Sequence, residues 1–99
     1  MPVNSRLQIY SIEFEDSDGG VCIVRCIGGI ARVGQIFVAE EETLEQSVPQ
    51  LTLNQIERYN RQVEFFDPPH NARVHLSGGP LAGLREGSVL VSLDLEPRS

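Results

Sequence analysis

The sequence predicts an all-β barrel or sandwich, and three observations carry that reading. Pro, Gly and acidic clusters cut the 99 residues into short segments, the spacing expected of many short strands. Residues 72–77 and 89–95 alternate between two faces with period two, the signature of a half-buried strand. Residues 21–27 (VCIVRCI) form an almost wholly apolar run of strand length. A chain of this length folds to an area of about 5,600 Å², against about 16,000 Å² unfolded, enough for one core and not for two. We therefore expect a single domain over residues 1–99, with no linker and no internal repeat.

The elements follow in order. Residues 7–14 (LQIYSIEF) are rich in strand formers. Asp16, Ser17, Asp18, Gly19 and Gly20 form a turn. Residues 21–27 form the second strand. Gly28 and Gly29 then supply a tight reversal into a third strand over 33–38. Residues 39–49 are polar and acidic and read as a surface loop. The next segment is ambiguous. Leu51, Leu53 and their neighbours alternate like a strand, yet Ile56, Tyr59, Val63 and Phe66 recur at helical spacing. We expect a strand to about Tyr59 and then one helical turn or bend; a helix over 55–65 is the alternative. In residues 72–77, Ala72, Val74 and Leu76 share one face and Arg73, His75 and Ser77 the other. In residues 89–95, Val89, Val91, Leu93 and Leu95 lie opposite Leu90, Ser92 and Asp94.

Charge and cysteines narrow the function. Eight Arg against 14 acidic residues give a net charge of −6, and Lys is absent. This balance opposes nonspecific binding to DNA or anionic membranes. Arg58, Arg61 and Arg73 can still form a local basic patch. Without Lys there is no phosphate-binding loop of the Gly-rich, Lys-bearing kind. No apolar run is long enough to span a bilayer, and the N-terminus lacks the pattern of a signal peptide. A cytoplasmic, reduced setting is the expectation. On a strand, Cys22 and Cys26 share a face but sit about 13 Å apart, whereas a disulfide needs Cα atoms within roughly 7 Å. The same separation defeats a zinc site built from these cysteines with His70 and His75. Asp16-Ser17-Asp18-Gly19 lacks the later ligands of a calcium loop. No metal or cofactor is expected. No nucleophile-and-base motif is present, and a small filled barrel offers little concave volume, so we expect a non-enzyme.

Four stretches together resemble a known family. They are VRCIGGIARVGQIF at 24–37, IERY at 56–59, HNARVHLSG at 70–78 and GSVLV at 87–91. In order and spacing they resemble the second domain of translational GTPases, best known in elongation factor Tu. The match covers roughly residues 7–95. The resemblance implies a closed antiparallel barrel of Greek-key type with about six strands. The chain departs from the family pattern in that no GTPase domain and no third domain are expected beside this barrel, and hence no nucleotide switch in this chain. Val24 departs from the family Gly before Arg25, and the 13–20 loop looks longer and more acidic than its family counterpart. Glu57 matches the family Glu that contacts the terminal adenosine of a tRNA acceptor end. Asn60 stands where elongation factor Tu has an Arg near the aminoacyl group, and Asn71 matches a family Asn at the start of a strand. For Asn71 we favour a turn residue with left-handed φ, and for Arg25 a structural cation paired with a carboxylate. His75 should face outward.

Two functions follow. The first is a protein-interaction module, docking a basic partner on Glu40, Glu41, Glu42 and Glu45. The alternative is weak binding of an RNA end, with Glu57, Arg58, Tyr59, Asn60, Arg61 and Asn71 as the ligand-binding candidates.

Overall fold

The computed structural model describes residues 5–40, 50–81 and 84–93. Within them the chain forms β1 (Arg6–Asp16), β2 (Gly19–Gly28), β3 (Ala31–Arg32), β4 (Ile36–Ala39) and β5 (Leu51–Arg58), then β6 (Arg61–Val63), β7 (Phe65–Phe66), β8 (Asn71–Ser77) and β9 (Val89–Ser92). No α-helix forms among the described residues, and none there is long and apolar enough to cross a membrane. Six strands form a ring in the order β4-β9-β1-β2-β8-β5, closed by the pairing of β4 with β5. Every pairing is antiparallel. Strand β6 extends from β5 beside the ring, and β3 pairs with β7 as a separate ribbon. Closure gives each ring strand two neighbours and so removes the exposed edges that endanger a small sheet.

The period-two pattern decides what fills the ring. Cys22, Val24 and Cys26 on β2 and Ala72, Val74 and Leu76 on β8 point inward. Leu7, Ile9, Phe37, Leu53, Ile56 and Leu90 complete the centre, and Phe66 from the ribbon packs against it. Burial and the nearby Glu15 and Glu13 push the Cys22 thiol from its ordinary 9.0 up to about 11, so it behaves as an inert apolar group. Both cysteines are free thiols.

Several expectations need correction. The first hairpin turn is shorter than the expected Asp16–Gly20: β1 runs to Asp16, opposite Gly19, leaving Ser17 and Asp18 as the turn, so residues 13–16 and 19–20 of the expected loop lie in the paired strands β1 and β2. The Asp16 carboxylate accepts the Asp18 N–H at 2.9 Å. Gly28 and Gly29 do not fold β2 back on a paired strand; Gly29 (φ +64°) leads into β3, whose partner is β7. The third ring strand starts at Ile36, not Val33, because residues 33–35 turn and tie their backbone to β5: Gly34 N–H donates to Leu53 O and Leu53 N–H to Gln35 O. The last strand spans Val89–Ser92, within the expected 89–95, and of its two faces the one with Leu90 and Ser92 is buried. Ser92 is held inside because its Oγ accepts the buried Ser5 N–H at 2.8 Å. The Ser5 hydroxyl in turn donates to Ile30 O.

The ambiguous segment is a hairpin with a bulge. The β5–β8 register shifts between Leu53 and Gln55, so Ile56 rather than Gln55 faces the core. Tyr59 (φ +54°) and Asn60 (φ +62°) then turn the chain into β6, where Val63 lies opposite Ile56. Positive φ at both positions is the mark of a two-residue type I′ hairpin turn. The helical spacing of Ile56, Tyr59 and Val63 thus arises from a bulge and a turn. Of the 39–49 loop, positions 41–49 lie outside the described residues.

Candidate functional site

The register of three adjacent strands assembles one groove on the outside of the barrel. On β8, Asn71 lies opposite Arg25 of β2, and Arg73 opposite Glu57 of β5. The turn after β5 adds Tyr59 and Asn60. Together with Ile23 and His70, these residues border an open groove of about 530 Å³.

Glu57 is the polar centre. Its Oε2 accepts Gln55 Nε2 at 2.6 Å and His75 Nε2 at 3.0 Å, and its Oε1 accepts Arg73 Nη1 at 3.4 Å. The hydrogen bond from His75 holds the Glu57 carboxyl below its usual range; partial desolvation opposes this, and Arg73 adds a further downward pull. Arg73 is anchored from its other side by Glu13 of β1, Nε to Oε1 at 2.8 Å. That bond and charge, with the smaller effect of Glu57, raise the Arg73 pKa. A carboxylate offers about four lone-pair sites. With these three donors in place, Glu57 Oε1 retains one for a ligand.

Along the groove, Arg58 and Arg25 make no ion pair among the described residues. Arg58 Nε donates to Asn71 O at 3.1 Å, and its guanidinium lies 5.0 Å from the Tyr59 ring centroid. Arg25 Nε donates to Asn71 Oδ1 at 3.4 Å, and its guanidinium lies 5.3 Å from the Tyr10 ring centroid. The expected carboxylate partner of Arg25 is thus replaced by an amide and an aromatic face. Asn71 opens β8 as a strand residue and is not among the residues with positive φ, so its expected left-handed turn role does not hold.

The fold brings Glu57, Arg58, Tyr59, Asn60 and Asn71 together. Arg61 pairs across β6 with Arg58 and does not line the groove. Of the expected basic patch, Arg58 and Arg73 meet there without Arg61. Glu40 follows β4 and is ion-paired with Arg6. Glu41, Glu42 and Glu45 lie outside the described residues. His75 is half-exposed on the outer face, bound to Glu57. Sequence reasoning missed the groove roles of Arg25 and His70. Arg25 and Asn71 are 46 positions apart, and only the β2–β8 pairing makes them neighbours. Among the described residues, no three His, Cys, Asp or Glu side chains gather in a way that could hold a metal ion.

No family model and no curated protein matches the chain. Among solved structures it is similar to the crystal structure of GDP-bound aIF5B from Aeropyrum pernix, with a TM-score of 0.76 and 19% identity. The match covers 90% of this chain and 14% of that one, so this chain spans a small part of that protein's length. Likeness at this identity speaks for the fold, and on that footing the chain is a closed barrel resembling domain 2 of elongation factor Tu and related translational GTPases.

Proposed function

We propose that this barrel is a non-catalytic binding module that takes the single-stranded end of an RNA in the groove around Glu57. One observation carries this reading: the groove gathers Arg25, Arg58 and Arg73 with an 84% exposed Tyr59 in a chain of net charge −6. Guanidinium groups serve phosphates, an exposed aromatic ring serves a base face, and a carboxylate with a spare lone pair serves a ribose hydroxyl. Few phosphates can be neutralised, so affinity is weak and falls only gently with salt.

The test is an amide NMR titration with a short hairpin RNA ending in CCA. Saturating shifts centred on Glu57, Tyr59 and Asn71 are expected. Glu57→Ala should abolish preference for a terminal adenosine while leaving the rest of the spectrum in place. No movement at millimolar RNA would overturn the reading.

A protein partner is the second reading, and a different surface favours it. Ile30, Val33 and Phe65 are 41%, 42% and 52% exposed near the β3–β7 ribbon. Val33 and Phe65 border a second groove of about 610 Å³. Phe65→Ser should weaken association with such a partner and leave the RNA titration unchanged.

A further inference from the structure

The groove does not stop at the turn after β5. A continuous line of side chains runs from Tyr59 across the barrel wall to Tyr10 on β1. Arg58 covers the Tyr59 ring and reaches Asn71 O; Asn71 Oδ1 accepts Arg25; Arg25 covers the Tyr10 ring. Each member stands on a different neighbouring segment: β1, β2, β8, and β5 with its turn. Tyr10 is 40% exposed, so its ring is open to solvent beside the guanidinium. The order along the line is aromatic, guanidinium, amide, guanidinium, aromatic.

We infer that Tyr10 and Arg25 form a second stacking platform, and that the surface takes a short run of single-stranded RNA laid across the strands rather than one terminal nucleotide. This rests on the RNA reading above and extends it. Three inter-strand steps of about 4.8 Å separate β1 from β5, or about 14 Å. Stacked nucleotides advance about 3.4 Å each, so about four rises, a run of about four to five nucleotides, reach from Tyr59 to Tyr10. A base stacks on the guanidinium plane, or replaces it on the ring while the guanidinium moves to the adjoining phosphate. The donors of Asn71 and Asn60 remain for base edges between the two platforms. Aromatic faces accept any base, so the extension adds affinity without strong sequence preference.

The experiment compares adenosine monophosphate with oligoadenylates of two, four and six nucleotides, on the wild type, Tyr10→Ala, Tyr10→Phe and Glu57→Ala. Wild-type affinity should rise to the tetranucleotide and then level off. Tyr10→Ala should weaken the tetranucleotide by roughly 5- to 100-fold, the range for loss of one base-stacking ring, and leave the mononucleotide unchanged. Tyr10→Phe should bind as the wild type. Glu57→Ala should weaken every ligand. The log–log salt slope for the tetranucleotide should be about −1.4 for two phosphate contacts and about −0.7 in Arg25→Gln. If Tyr10→Ala binds the tetranucleotide as tightly as the wild type while Glu57→Ala does not, the second platform is wrong and the end-binding groove stands. If the wild type binds none of these ligands, both fall together. Unchanged chemical shifts at Cys22, Val24 and Val74 in Tyr10→Ala separate loss of binding from loss of fold.

Discussion

Tyr59 occupies the left-handed region at φ +54°, where a bulky side chain costs about 1–2 kcal/mol and Asn costs little. Asn60 beside it is at home there. On the RNA reading proposed above, an aromatic residue kept under strain, nearly fully exposed and next to a cluster of Arg side chains serves contact rather than stability. Tyr59→Asn should therefore raise unfolding free energy by about 1 kcal/mol, less about 0.5 kcal/mol for the lost contact with Arg58. The same change should weaken RNA binding, so urea melts and titrations should move in opposite directions. Glu57 makes a second prediction at this scale. Its carboxyl is held low in the folded protein, so the unfolded chain takes up its proton first as pH falls. The stability it contributes is present above the ordinary carboxylate pKa and is lost as pH drops through the folded value. Glu57→Gln should flatten that part of the stability–pH curve, as read by urea midpoints at a series of acidic pH values. An unchanged acid limb would show that the His75 and Arg73 contacts contribute nothing in solution.

Among the elements, β9 is held as much by a polar contact as by packing. Ser92 is only 4% exposed, and its Oγ is the partner of the buried Ser5 N–H. Ser92→Ala leaves that donor unsatisfied and should cost about 1–3 kcal/mol, read by chemical denaturation. Ser92→Thr keeps the acceptor and should cost less. This contact also decides which face of β9 turns inward, a point the sequence reading left open. Val89 and Val91 are more apolar than Ser92, but β9 must present the face that completes the Ser5 contact. Strands with no such polar demand were legible: β2 and β8 show their buried faces directly in the alternation of residues 22–26 and 72–76. Where a bulge shifts the register, as between Leu53 and Gln55, period two breaks and local pattern cannot say which side chain turns inward. The β5–β6 hairpin was hidden for a related reason. Its turn uses Tyr-Asn instead of the Asn-Gly that usually announces a type I′ turn. The candidate site was half legible. Glu57, Arg58, Tyr59 and Asn60 are consecutive and arrive together by chain connectivity, whereas Arg25 and Tyr10 join them only through pairing between strands distant in sequence.

For the whole molecule, closure of the ring rests on the short β4–β5 contact of Ile36 with Thr52 and Phe37 with Leu51, backed by the turn at Gly34 and Gln35. The groove lies on the β2–β8–β5 side, where the strands are long and broadly paired apart from the bulge between Leu53 and Gln55. A binding surface placed there has its backbone tied by strand pairing on both sides, so a ligand has only side chains to reorder. The Ser5–Ser92 contact has a different consequence. Ser5 N–H bonds Ser92 Oγ and Ser92 N–H bonds Ser5 O, so the path into the barrel and the path out of it lie side by side. Within the described residues the chain thus enters and leaves the barrel at one place, a single strand spacing apart.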